Sequence, residues 1–285
     1  MLSKVLLALA VAAVPVTPLQ APAIDGFNMV QEYSFDGTPG STVPTTNWNI
    51  ITGPNNANAE LETYTASPNN HHVTADHTLK IIPLKNAQTG AWTSARLESK
   101  RTFTPPEGKA TIVQAMIRFG DNPIANKQGI WPAFWLLGDS IRHGTPWPQC
   151  GEIDILETVN GRLTGYGTVH CNVSPGGICN EPSGIGGTVS ISDQGWHVWR
   201  VNINRRAASW TGESITWFRN GVQYMQVTGS RIGNQAVWNS LVAKPLFIIV
   251  NVAVGGTFPG NPNGATMDGM GSAMEVGYIA QYVSN

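Results

Sequence analysis

The sequence predicts an all-β protein built as a single antiparallel β-sandwich, and three observations carry that expectation. Charged residues make up only 12% of the chain, while Gly (31), Pro (19) and Trp (10) are abundant, a composition of short strands and turns rather than of a helical bundle. Apolar alternation with turn punctuation recurs at strand-like spacing from one end to the other. The 285 residues suit one large all-β domain, with no internal repeat and no linker to divide them.

Along the chain, the first segment reads as a leader. Lys4 precedes an apolar run from Val5 to Val16 and small residues ending Ala21-Pro22-Ala23. That is the anatomy of a secretory signal peptide over residues 1–23, leaving one domain over 24–285 and an exported protein, extracellular or in a cell wall. The run is short for a membrane span and is broken by Pro15 and Pro18, and no later segment is long and apolar enough to cross. Strands are expected at 77–84, 94–103, 109–119, 130–137, 151–157, 166–170, 196–204, 214–219, 222–227, 246–252 and 274–282. Asn220-Gly221 between two of them suits a two-residue hairpin turn, in which both central residues need positive φ. One short helix is expected near 235–242.

Net charge is −1, with no run of Lys or Arg, so the electrostatic footprint of a nucleic-acid binder is missing. A neutral polysaccharide and a monomeric protein fit better. Export permits disulfides, and the three cysteines leave one over. Cys171 and Cys179 bracket a short Gly/Pro-rich loop that a bridge would pin, whereas Cys150 stands beside the acidic segment described next; a 171–179 bridge with Cys150 as a buried thiol is the expected arrangement. No His or Cys spacing resembles a zinc site, so neither a metal nor another cofactor is expected. Asn172-Val173-Ser174 is a glycosylation sequon, followed by Pro175.

The chemistry concentrates in Gly151-Glu152-Ile153-Asp154-Ile155-Leu156-Glu157. Alternation puts Glu152 and Asp154 on one face of a strand and Ile153 and Ile155 on the other. Glu157 is out of phase by one residue. A β-bulge with Leu156 as the inserted residue returns it to the face of the other two. Like charges in line on a strand repel, and three acids in six residues of so weakly charged a chain need a use. Retaining glycoside hydrolysis supplies one, since it needs two carboxyl groups about 5 to 5.5 Å apart. Trp131 and Trp135 lie four residues apart in Gly-Ile-Trp-Pro-Ala-Phe-Trp, so a strand points both indoles to one side, where sugar rings stack, and Phe134 to the other.

This acidic segment, preceded by Gly129-Ile-Trp-Pro-Ala-Phe-Trp-Leu-Leu-Gly138 and followed by Tyr166-Gly-Thr-Val-His170, resembles glycoside hydrolase family 16, in its laminarinase-like branch. Glu60-Leu-Glu-Thr-Tyr-Thr65, Ser94-Ala-Arg-Leu-Glu-Ser-Lys100 and Asn251-Val-Ala-Val-Gly-Gly-Thr-Phe-Pro-Gly260 extend the resemblance over nearly the whole chain. It implies a β-jelly roll with a concave substrate cleft, a retaining endo-mechanism on β-1,3-glucan or mixed-linkage β-1,3(4)-glucan, Glu152 as nucleophile, Glu157 as acid/base and Asp154 as the helper between them. It also implies cleft positions for Trp131, Trp135, Arg96, Asn251 and His170. A sugar hydroxyl in place of water in the second half-reaction makes the alternative a glucan transglycosylase; a lectin-like, non-catalytic glucan binder is a further one. Two departures stand out. Many relatives bind a structural calcium through an acid in the final strand, where this chain has Gly277. The stretch from Cys171 to Gly187 is rich in Gly and Cys and reads as poor in the charges of bacterial laminarinases, closer to a fungal source.

Overall fold

The computed structural model describes residues 19–55 and 57–285. The apolar run of the leader lies outside the described residues. Leu19 to Ala23, which the leader assignment includes, pack against the strands Phe27–Tyr33 and Met274–Ser284: the Ala21 N–H donates to Glu32 Oε1 at 2.8 Å, and Tyr282 Oη donates to the Pro22 carbonyl at 2.8 Å. Ala21 is buried there with Ile112, Tyr278 and Tyr282.

Two antiparallel sheets form a sandwich, as the composition predicts. The seven-stranded sheet comprises β1 (Trp48–Ile50), β2 (Arg96–Ser99), β3 (Ile130–Gly138), β4 (Glu152–Glu157), β5 (Thr164–His170), β6 (Ile185–Ser190) and β7 (Leu246–Val254). Its spatial order is β6-β5-β4-β3-β7-β2-β1. The eight-stranded sheet is built around Ala110–Phe119, His197–Asn204 and Met274–Ser284. Alternation works as expected: in His197–Asn204 the buried positions alternate with partly exposed ones, and Trp199, Val201 and Ile203 point into the core. From the other sheet Phe134, Leu136, Ile153, Val250 and Val252 meet them. The Asn220-Gly221 turn has φ of 49° and 80°, and Gln235–Val242 is a helix capped by Asn234, whose side chain accepts from the Val237 N–H.

Several elements differ from expectation. The segment 94–103 is divided: Trp92–Ser94 belongs to a small four-stranded sheet, and the chain passes through buried Ala95 into β2 of the large one. Strands at Phe27–Tyr33, Glu62–Tyr64, His71–Val73 and in β1 and β6 were not anticipated. They are short, polar or Gly-rich, and their partners in the sheet hold them extended where their own alternation is too weak to do so. Cys171 and Cys179 are bridged, with Cα atoms 5.4 Å apart, and Cys150 is a buried free thiol. Calcium does not fit around Gly277: a Cβ there would meet Leu19 Cδ1 at 2.9 Å and Trp196 Cζ3 at 3.5 Å, apolar carbon where that ion needs oxygen.

The bulge in β4 decides where the acids point. Toward β3, Trp135 opposes Asp154 and Phe134 opposes Leu156, so Ile155 has no partner. Toward β5, Asp154 opposes Thr168 and Glu157 opposes Tyr166, so two residues face Gly167. The bulge therefore falls in the expected place, but the residue unpaired against β3 is Ile155; Leu156 pairs with Phe134 and is a fully buried core side chain. A bulge leaves ladder carbonyls without strand partners, and a buried carbonyl so left costs about 1–3 kcal/mol. Here the other sheet answers it. Trp217 Nε1 donates to the Asp154 carbonyl at 2.7 Å, and Tyr224 Oη donates to the Ile155 carbonyl at 3.3 Å.

Both side chains reach the bulge over Gly167, where a Cβ would stand 2.6 Å from Trp217 Cδ1 and 2.8 Å from Tyr224 Oη. Gly167→Ala is accordingly expected to destabilise the fold by about 1–3 kcal/mol through overpacking. Urea unfolding measures the loss; an unchanged midpoint would mean that the bulge does not depend on this fit.

Candidate active site

The register assembles the site on the face of the seven-stranded sheet turned away from the sandwich core. Cross-strand partners share a face, so the pairs Glu152 with Leu137, Asp154 with Trp135 and Glu157 with Ala133 align the three acids with alternate residues of β3. The same acids pair with His170, Thr168 and Tyr166 of β5. On the other side Ala133 pairs with Asn251 of β7, and Asn251 with Arg96 of β2. Every expected site residue therefore lies on this one face: Arg96, Trp131, Trp135, Glu152, Asp154, Glu157, His170 and Asn251.

Hydrogen bonds hold most of them in place. Trp131 Nε1 donates to Glu157 Oε1 at 2.9 Å. Trp135 Nε1 donates to Asn251 Oδ1 at 2.8 Å, and Asn251 Nδ2 donates to Tyr64 Oη at 3.1 Å. The Arg96 guanidinium lies over the Trp135 ring, 4.8 Å from its centroid, and donates twice to Glu98 Oε1, at 3.0 and 2.8 Å. His170 Nε2 stands 3.4 Å from Asp154 Oδ2 and 3.9 Å from Glu152 Oε1. The indoles of Trp131 and Trp135 are thus both packing surfaces and donors that orient polar groups.

Burial dominates the electrostatics. Taking a carboxylate out of water disfavours its charge, and all three acids are raised above the usual carboxylate range. Glu157 is pushed up to about 7 by burial, with the Trp131 hydrogen bond and the charge of His170 opposing and that of Glu152 adding to it. Glu152 is raised by burial against the pull of His170 and Arg96. Asp154 is raised well above its ordinary value by burial and then by the charges of Glu152, Glu157 and Glu181, so it is the acid most firmly held neutral. Near Trp131 a further acid, Glu60, is pushed up to about 8 by burial and by Glu62. Among the described residues, Glu152, Asp154 and His170 are the one close group of His, Cys, Asp and Glu side chains, their polar atoms within 4.8 Å of one another. They are the acid row itself with its histidine, and no metal role is assigned to them.

Three residues of this face escaped the sequence reading. Glu181, in the loop read as poor in charge, accepts from His170 Nδ1 at 2.6 Å and is buried. It is the acid within the stretch from Cys171 to Gly187, and that position was its only signal. The Trp147 ring stands 5.6 Å from that of His170. Phe258 meets Trp131 edge-on at 5.5 Å and Tyr166 at 5.2 Å, an aromatic corner beside Glu157 drawn from three separate segments. No spacing within one segment announces such a corner.

Known proteins share this arrangement of sheets. The chain matches the family model "XgeA-like, catalytic GH16 domain" over residues 50–185. The crystal structure of endo-1,3-β-glucanase from Streptomyces sioyaensis superposes with a TM-score of 0.87 at 36% identity, over 93% of this chain and 100% of that one. Endo-β-1,3-glucanase from Pyrococcus furiosus superposes with a TM-score of 0.72 at 30% identity, over 92% of this chain and 97% of that one. Glucan endo-1,3-beta-glucosidase A1 of Niallia circulans is 30% identical over 92% of this chain, which spans 38% of that protein's length. With such identity maintained over the whole of a solved relative, and with the acid row in register on its sheet face, the chain belongs to glycoside hydrolase family 16, in its laminarinase-like branch.

Proposed function

We propose that the protein is a secreted, retaining endo-glycosidase that hydrolyses β-1,3-glucan, with Glu152 as nucleophile, Glu157 as acid and then base, and Asp154 as the helper between them. The observation that carries this reading is the bulge, which returns Glu157 to the face of Glu152 while Trp131 fixes one of its carboxyl oxygens and leaves the other for proton transfer. The 1,3 linkage rests on the relatives, which are named as endo-1,3-β-glucanases. A single catalytic domain following the leader, a monomeric state and a fungal source belong to the same reading and rest on the sequence alone.

In the first step Glu157 gives its proton to the glycosidic oxygen as the bond from that oxygen to the anomeric carbon breaks. Glu152 attacks the same carbon and forms an ester. The aglycone leaves as an alcohol. Esterification removes the Glu152 charge, so the repulsion that keeps Glu157 protonated weakens, and the Glu157 carboxylate can take a proton from water. That water attacks the anomeric carbon, releasing Glu152. Asp154, kept neutral by its surroundings, can donate to the carboxylate of Glu152 and orient it. Asn251, Trp135 and Arg96 line the same face and are the proposed sugar contacts, with Trp131 and His170 beside the acids.

Glu152→Ala should abolish release of sugar from laminarin, and azide should restore turnover of an activated aryl glycoside with inverted stereochemistry. A rescued product with retained stereochemistry, read by proton NMR, would remove Glu152 from the nucleophile role.

The pH dependence follows from Glu157. Its raised folded pKa of about 7 keeps it protonated below that pH, so kcat/KM should decline about tenfold per pH unit above it. Glu157→Ala should lose that alkaline limb and spare aryl glycosides whose leaving group needs no proton; an intact limb in the variant would exclude Glu157 as the acid.

A further inference from the structure

Glu181 is an acid that the reaction just described does not use, and it lies in a place where an acid is costly. Its side chain is fully buried, in a site that already holds Glu152, Asp154 and Glu157. Burying one more carboxyl among like charges is unfavourable unless a partner compensates it. Both of its oxygens have partners. Oε1 accepts from the Cys171 N–H at 2.8 Å, and Oε2 faces His170 Nδ1 at 2.6 Å. The backbone of Glu181, two residues past Cys179, is itself tied to Gly176 inside the loop that the Cys171–Cys179 bridge closes, each N–H donating to the other's carbonyl. A Cβ on Gly184 would stand 2.8 Å from His170 Cε1, so the same loop walls the ring on one side.

The far side of that ring faces the reaction. Nε2 is 3.4 Å from Asp154 Oδ2, an oxygen with no hydrogen-bond partner of its own, and 3.9 Å from Glu152 Oε1. His170 therefore stands between Glu181, to which it is hydrogen-bonded, and the acid row, which its Nε2 approaches without a hydrogen bond. A carboxylate on Nδ1 fixes the proton there and favours the doubly protonated ring.

We propose that Glu181 is a positioning residue for this reaction: it holds the proton on His170 Nδ1 and stabilises the imidazolium, whose Nε2–H faces Asp154 and Glu152 and supplies the counter-charge the nucleophile needs. The inference rests on the reading of Glu152 as nucleophile. The titratable and charged groups that face His170 and Glu152 come from three elements, and Glu181 also repels Glu152 directly, by less than His170 attracts it. Glu152, Asp154 and Glu157 come from β4, Glu181 from the segment between β5 and β6 just past the bridge, and Arg96 from β2, the last already donating to Glu98. Cys150, next to the strand, is pushed up to about 12 by burial and by Glu152, and is a neutral thiol. Burial works against the imidazolium, but the hydrogen bond to Glu181 and the charges of Glu152, Glu181 and Glu157 outweigh it and raise the His170 pKa.

The test is Glu181→Gln, which keeps the shape and removes the charge. In the resting protein the His170 Cε1–H titration, followed by NMR, should move to lower pH. Losing the imidazolium raises the Glu152 pKa and losing the Glu181 charge lowers it by less, so the acid limb of kcat/KM on laminarin should still move up, by roughly half a unit. A drop in kcat or in thermal stability with both titrations unmoved would overturn the proposal, since a merely structural role predicts that pattern. If the variant does not fold, the wild type decides: nitrogen-15 spectra should show Nδ1 protonated throughout the active pH range, and a neutral ring carrying its proton on Nε2 would overturn the assignment. The histidine titration is read without turnover, so it stands or fails independently of whether Glu152 forms the ester.

Discussion

Repulsion among buried carboxyl groups is the constraint to which the rest of the site answers. Three acids along one strand, with a fourth behind the adjacent histidine, are unfavourable in themselves, because burial and like charge both oppose ionisation. The fold meets this with unequal surroundings. Of the three in the row, Asp154 has the least exposure and the most negative neighbours and stays neutral. Glu157 is raised by burial, and its bond from Trp131 holds that rise to the neutral range. Glu152 is eased toward the charged form by His170 and Arg96. Environments that separate the proton affinities of adjacent acids are what a two-carboxyl mechanism requires.

The same acids depend on an irregular backbone, and the irregularity depends on the opposite sheet. Without the bulge, Glu157 would face the core; with it, two carbonyls lose ladder partners. Trp217 and Tyr224 reach across the sandwich to satisfy them, which is why a side chain is excluded at Gly167. The catalytic face and the packed core are therefore coupled through a few hydrogen bonds, and the precision of one rests on the fit of the other.

A second coupling runs through the loop between β5 and β6. The disulfide and the paired backbone of Gly176 and Glu181 shape a loop whose inward product is a single buried carboxylate against His170. In such an arrangement a segment with no regular strand acts on the chemistry by fixing where a proton sits rather than by touching a sugar.

The alternation of apolar residues, the wealth of Gly, Pro and Trp and the Asn-Gly turn were enough to specify a β-sandwich, because period and turn chemistry are local properties of the chain. The acid row and the need for a bulge were equally local: a six-residue segment carries its own phase error. Same-side placement of Trp131 and Trp135 followed from strand period alone. What the chain could not declare was who stands opposite whom. That Ile155 and not Leu156 lacks a partner, that the segment around Ala95 changes sheet, and that Phe258, Trp147 and Glu181 join the acids are consequences of pairing between segments far apart in sequence. Register and burial are set by the partner strand and the opposite sheet, so the residues and their phase were written in the sequence, while their neighbours, and with them each acid's proton affinity, were decided only when the sheets came together.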